Sequence, residues 1–158
     1  MLKNYWNYIQ LQPVHTLYTE HWFSFDTQYA NLHGKCDRID LDNENNISII
    51  DYKTSKSPIT KRELKKNLQL GIYAIFLVSE GIELEDNKIQ GFPKKLSMLF
   101  LREEKPEVSV VYTADDIDKF NIQIQEVSEN IQNAKFEPCK GRYCDWCDYK
   151  DLLCPEFG

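Results

Sequence analysis

With 158 residues, 42% hydrophobic and 13% aromatic, the chain reads as one globular domain, or one domain with a small appendage, and not as a disordered or repeat protein. A formal charge of −6 excludes indiscriminate nucleic-acid binding, so any such contact has to rest on a local basic patch. No apolar run is long enough to span a bilayer and no secretory leader opens the sequence, which sets the expectation of a cytoplasmic protein.

Residues Met1–Pro13 read as the tail of a helix or an irregular lead-in ended by Pro13. The runs His15–Phe25, Tyr29–Leu41 and Ile47–Thr54 alternate as strands do and predict a three-stranded antiparallel meander. Asp42, Asn43, Asn45 and Asn46 supply the turn between the last two. A turn centred near Glu44 puts Asp37 directly across from Asp51. Facing like charges destabilise a strand pair unless a hard divalent cation lies between them, and Mg²⁺ is usually held by one or two carboxylates plus water and phosphate. Lys53 projects from the same strand face as Asp51, while Tyr52 points the other way.

Gly34-x-x-Asp37, then Asp51-Tyr52-Lys53 fourteen residues after Asp37, then Gln69-x-x-x-Tyr73, is a pattern of much higher specificity than a lone Asp-x-Lys. It resembles the PD-(D/E)XK nuclease superfamily, and the flanking residues 34–40 and 50–55 resemble its RecB-type branch of helicase-nucleases and CRISPR adaptation nucleases. The resemblance implies a restriction-endonuclease-like core that hydrolyses DNA with Mg²⁺ or Mn²⁺. Asp37 and Asp51 would hold the metal, with a backbone carbonyl near Tyr52 as a further ligand. Lys53 would orient the attacking water, and Gln69 and Tyr73 would position the strand. Glu20, in a Glu-x-x-Phe element with Phe23, would orient a metal-bound water. The relatives also carry a first helix with a metal-ligating histidine, expected here to be missing or truncated. His15, His21 and His33 are poorly placed to replace it.

Ser57-Pro58 ends the strand, and Thr60 with Glu63 forms a capping box for a helix running to about Ser79, with Gly81 as its stop. Leu64, Leu68, Ile72, Ile75 and Phe76 make its apolar stripe. Arg62, Lys66, Gln69 and Tyr73 share a second face. Lys53, Lys56, Lys61, Arg62, Lys65 and Lys66 against one acid, Glu63, form the basic patch, and its place just after the candidate metal site makes it the expected DNA contact. A polar loop, Glu83–Lys95, leads to strands Leu96–Arg102 and Val108–Tyr112. Thr113 then caps a helix whose Ile117, Phe120, Ile124, Val127 and Ile131 are expected to pack on the sheet.

The tail, 136–158, is cysteine-rich: Cys139, Cys144-x-x-Cys147 and Cys154-Pro155. A CxxC turn presents two thiolates to one ion, and four of the chain's five cysteines after residue 138 read as a metal ligand set and not as a disulfide scaffold. In the RecB-like relatives, cysteines so spaced hold an iron–sulfur cluster, with a fourth ligand from upstream of the core. Cys139 supplies the fourth here, or a segment preceding residue 1 does; a four-thiolate Zn²⁺ site is the alternative.

The expectation is therefore an α+β protein: a nuclease-like core over 1–135, a mixed sheet flanked by helices, and a cysteine-rich metal knob over 136–158. The function implied is a metal-dependent deoxyribonuclease, an exonuclease on single strands or ends, associated with a helicase domain or subunit. Two other readings are a non-catalytic nucleic-acid-binding module and an iron–sulfur sensing domain. Two carboxylates facing a phosphate speak against the first, and the Gln69/Tyr73 face speaks against the second.

Overall fold

The computed structural model describes residues 1–11, 15–55 and 58–157. Helix α1 (Leu2–Ile9) precedes the meander of β1 (His15–Asp26), β2 (Asn31–Leu41) and β3 (Ile47–Lys53). The β2–β3 turn closes because Asp42 Oδ1 accepts from the backbone N–H groups of Glu44 and Asn46, each at 2.9 Å, while Asn45 takes a φ of 62°. After helices α2 (Lys61–Leu64) and α3 (Leu68–Ser79) comes a small hairpin of β4 (Ile82–Glu83) and β5 (Lys88–Ile89). The sheet is completed by β6 (Lys95–Phe100) and β7 (Glu107–Val110), and the 19-residue α4 (Ala114–Gln132) follows. Strand order is β1-β2-β3-β6-β7, antiparallel except for the parallel β3–β6 pair. The protein is thus α+β, a mixed five-stranded sheet flanked by helices.

Alternation sorts the two sheet faces. Ile49 of β3 with Leu96, Met98 and Phe100 of β6 enters the main core beneath α3, whereas Ile50 and Leu99 pack with Tyr8 of α1 on the other side. Residues 2–9, expected as the tail of a helix or an irregular lead-in, are a packed helix; Pro13 lies outside the described residues. The expected polar loop, Glu83–Lys95, contains the β4–β5 hairpin and a fully buried Pro93.

The single helix expected over Lys61–Ser79 is two. The Thr60–Glu63 capping box forms as read, but α2 lasts one turn, and the Asn67 side chain then accepts from Leu70 N–H at 3.0 Å as the N-cap of α3. Lys66, lying in the break, is not on the Gln69/Tyr73 face. Helix α3 ends as expected at Gly81, whose φ of 72° suits glycine. It is buried nearly all round, by Leu70, Gly71, Tyr73, Ala74, Ile75, Phe76 and Leu77. Helix α4 crosses it where Gly71 makes room: a Cβ there would stand 2.6 Å from Phe120 Cγ. Helix α4 thus docks on α3, and only Ile117, Phe120 and Ile124 of the expected stripe are buried; Val127 and Ile131 are exposed. Beyond α4 no described residue is buried; residues 133–157 are turns and one 3₁₀ segment, Cys144–Trp146.

Candidate nuclease site

The β2–β3 ladder pairs Arg38 with Ile50 and Leu41 with Ile47 and ends there, with Asp37 and Asp51 each one residue beyond it. Here the Asp37 carboxylate joins the strands: its Oδ2 accepts from Tyr52 N–H at 2.8 Å. Backbone irregularity surrounds this point. Glu20, in line with Asp37 on β1, has a φ of 55°, and the strand slips register between Thr16 and Tyr18. Irregularities of this sort re-aim side chains beside functional sites. The glycine of Gly34-x-x-Asp37 has a packing reason too, because a Cβ would come within 2.8 Å of Phe23 Cζ.

Asp51 points into the α3 side of the sheet with only 2% of its surface exposed. Lys53 Nζ lies 2.7 Å from Asp51 Oδ2 as an ion pair, yet no directed hydrogen bond reaches that fully buried oxygen among the described residues. Burial, reinforced by the Asp37 carboxylate and opposed by Lys53, raises the Asp51 pKa above the ordinary carboxylate range. A buried carboxylate is costly to ionise, and the ammonium beside it offsets only part of that cost.

From Lys53 a relay runs along α3. Lys53 Nζ donates to Gln69 Oε1 at 3.0 Å, Gln69 Nε2 donates to Tyr73 Oη at 3.0 Å, and Tyr73 Oη donates to the Lys35 carbonyl at 3.0 Å. Burial, with the Asp51 charge next, pushes the Tyr73 phenol up, so it stays a neutral donor. Five expected residues, Asp37, Asp51, Lys53, Gln69 and Tyr73, therefore come together. The buried thiol of Cys36, pushed up to about 12 by burial and then by Asp37 and Asp51, lies inert beneath them.

Tyr52 has its ring on the opposite side of β3. It meets Tyr5 of α1 edge-on, with centroids 5.7 Å apart and hydroxyls 3.2 Å apart. Beside it, Arg38 Nε and Nη2 grip Asp40 at 2.6 and 2.8 Å, and Thr16 adds a bond to Asp40 at 3.0 Å. Both members of this pair are buried. The sequence reading missed it, although an acid and a base two apart on a strand share a face.

Other expected residues go elsewhere. Glu20 is ion-paired with Lys35, its side chain 61% exposed, and no group of three or more His, Cys, Asp or Glu side chains is gathered as a metal site among the described residues. His21 packs on Phe76 and Tyr18, while His15 and His33 are exposed on strands. Lys61, Arg62 and Lys65 line a cavity at the end of the sheet away from Asp51. Lys66 lines a different hollow beside α4, and Lys56 lies outside the described residues. The four tail sulfurs are free and ungathered: Cys139 and Cys147 are exposed, and Cys144 Sγ accepts from Gly141 N–H at 3.2 Å.

A family model described as the PD-(D/E)XK nuclease superfamily matches residues 1–155. The chain belongs to that superfamily. Its members are generally divalent-metal-dependent nucleases, so the Asp37, Asp51 and Lys53 constellation falls in a family whose chemistry suits it. No curated protein matches the chain significantly. Among the described residues no helix is long and apolar enough to cross a membrane.

The donor set can be tested against the metal that the family implies. Two carboxylates close together on the hairpin, one of them buried beside a single ammonium, are hard oxygen ligands in the number Mg²⁺ usually takes from protein. They fit. For the tail, thiol chemistry suits iron–sulfur or Zn²⁺, but the arrangement does not bring three sulfurs together.

Proposed function

We propose that the protein is a Mg²⁺- or Mn²⁺-dependent deoxyribonuclease whose active centre is Asp37, Asp51 and Lys53. The observation that carries this reading is the buried Asp51 carboxylate, set near Asp37 with Lys53 Nζ 2.7 Å from its Oδ2. Asp37 and Asp51 would hold the cation, with a backbone carbonyl near Tyr52 as a further ligand. When bound, the cation activates water and offsets charge on the phosphate.

The chain's own residues do the rest. Tyr52 N–H fixes the Asp37 carboxylate on its strand. Lys53 sets an ammonium where negative charge grows in the transition state, held on one side by Asp51 and on the other by Gln69. Tyr73 fixes Gln69 and clamps the Lys35 carbonyl, which ties α3 to the Gly34-x-x-Asp37 strand. Lys61, Arg62 and Lys65 give the acidic chain a local surface for phosphates.

The RecB-like pattern of residues 34–40 and 50–55 favours cleavage of single strands or ends, as an exonuclease working with a helicase domain or subunit in DNA repair or CRISPR adaptation, in the cytoplasm. In the same reading Cys144, Cys147, Cys154 and Cys139 hold an iron–sulfur cluster, with Zn²⁺ the other metal that suits four thiolates. Residues 133–157 have no buried side chain to order them, which is the need such a centre meets.

The test is incubation of purified protein with end-labelled single- and double-stranded DNA in Mg²⁺, Mn²⁺ or EDTA. Cleavage in the metals and none in EDTA is expected. Binding without cleavage in either metal would leave a nucleic-acid-binding module instead.

A further inference from the structure

One feature not absorbed by the active centre is a cavity of about 760 Å³ at the other end of the sheet. Its cationic lining comes from two parts of the chain far apart in sequence: Lys61, Arg62 and Lys65 from α2 and its end, and Lys94 and Lys95 from the start of β6. Ser48 and Ser109 add hydroxyls, and Asp42 is the one acid in the lining. In a chain of net charge −6 this gathering of five cations stands against the overall balance.

Three of the five are partly neutralised. Lys65 Nζ is 2.7 Å from Asp116, Lys94 Nζ is 2.7 Å from Asp42, and Lys95 Nζ is 2.6 Å from Glu107. Lys61 and Arg62 are exposed and have no ion pair among the described residues. Val110 and Val111, the latter 58% exposed, add apolar surface to the lining. Cations from two parts of the chain and an apolar lining suit a ligand that carries phosphate and a hydrophobic face together. A stretch of nucleic acid has both, and free inorganic phosphate has only the first.

The position is also informative. Ser48 lies three residues before Asp51 on β3, roughly 10 Å along the strand at about 3.3 Å per residue, and by alternation on the opposite sheet face, so a ligand reaching both sites has to pass round the sheet. We propose that this cavity is a second anchoring site for the nucleic-acid strand, holding phosphates away from the scissile bond. The proposal rests on the nuclease reading for the identity of its ligand. Affinity for DNA is then built from two separated sites, and an oligonucleotide must be long enough to reach both to gain the full benefit.

The experiment uses the full chain in EDTA, where nothing is cut, with fluorescent single-stranded oligonucleotides graded from roughly four to roughly twenty nucleotides. The wild-type protein should show a step in affinity at the length that bridges the two sites. The double variant Lys61→Glu/Arg62→Glu, which breaks no ion pair seen in the structure, should lose that step. Its affinity for long strands should fall about tenfold, and two lost contacts should reduce the salt slope by about 1.4. Lys94→Gln, from the other cationic segment of the lining, should cause a smaller loss at the same lengths.

An unchanged length series in both variants would overturn the proposal. So would saturable binding of a nucleoside monophosphate in the cavity that leaves DNA binding untouched, because it would make the cavity an effector site. Absence of cleavage by the wild type in Mg²⁺ or Mn²⁺ would strike the nuclease reading alone, since the length series needs no cleavage.

Discussion

The β2–β3 hairpin and the cysteine tail both carry candidate ligands, yet they are held in opposite ways. Asp37 and Asp51 sit on strands locked by ladder hydrogen bonds, a main core on one side and α1 on the other. The cysteines sit on turns whose large apolar residues, Trp146 and Leu152, are each 80% exposed. A carboxylate site can be preformed by a fold that gains its stability elsewhere, so that ligand repulsion is a tolerable local cost. A thiolate site on a segment with no buried residue has no such support, and binding must do the ordering.

The strongest way to break this comparison is at the hairpin. Asp51→Asn or Asp37→Asn should abolish cleavage in Mg²⁺ and leave the circular dichroism spectrum unchanged. Cleavage at wild-type rate in both variants would remove the site from the hairpin. Lys53→Ala should follow, losing on the order of 10²–10³ in kcat, the usual cost of one preorganised electrostatic contact, with Mg²⁺ affinity retained.

At the tail, Ser at Cys144, Cys147 or Cys154 should make 136–157 the first segment cut by limited proteolysis, while the core resists as before. Cys139→Ser should do the same if that residue is the fourth ligand. Visible absorbance after anaerobic purification, with iron and zinc analysis, separates the two metals. A protein free of both whose tail nevertheless resists protease would show that something other than metal orders it.

A smaller and sharper effect concerns pH. Burial raises the Asp51 pKa, so folding favours its neutral form. That contribution is full below the ordinary carboxylate range and is lost as pH rises through the folded value. Glu107 and Asp116 work the other way: despite burial, ion pairing with Lys95 and Lys65 holds both low, Asp116 at about 2, and their contribution is lost as pH falls. In EDTA, therefore, Asp51→Asn should gain thermal stability over wild type as pH rises from the acid range towards neutral. Mg²⁺ should narrow the gap. A constant difference across that range would show that Asp51 titrates normally.

Much of the hairpin was legible because alternation, an Asx-rich turn and a charge pair at matching distance all converge on one register. The break between α2 and α3 was less so. Lys65 and Lys66 are good helix formers, and only Asn67, with its preference for capping, signals a new start. The reach of α4 could not be read at all: Val127 and Ile131 continue the periodicity of Ile117, Phe120 and Ile124, and periodicity does not say where the partner surface ends. Lys94 and Lys95 were invisible as partners of Lys61 for a related reason, since the sheet brings them together across some thirty residues of chain.

The parallel pairing of β3 with β6 also bears on the order of assembly. The β2–β3 hairpin closes over a few residues, a microsecond event, whereas β6 can join only after α2, α3 and the β4–β5 hairpin have formed a long crossover. Asp37 and Asp51 are thus brought face to face early, before α3 docks to deliver Gln69 to Lys53 and before the core closes over Asp51. During that interval both carboxylates are still hydrated, and their repulsion is weak. If Asp51 loses its water only when α3 and the core close over it, a divalent cation bound at that site should slow unfolding more than it speeds folding, which unfolding and refolding rates measured with and without Mg²⁺ would check.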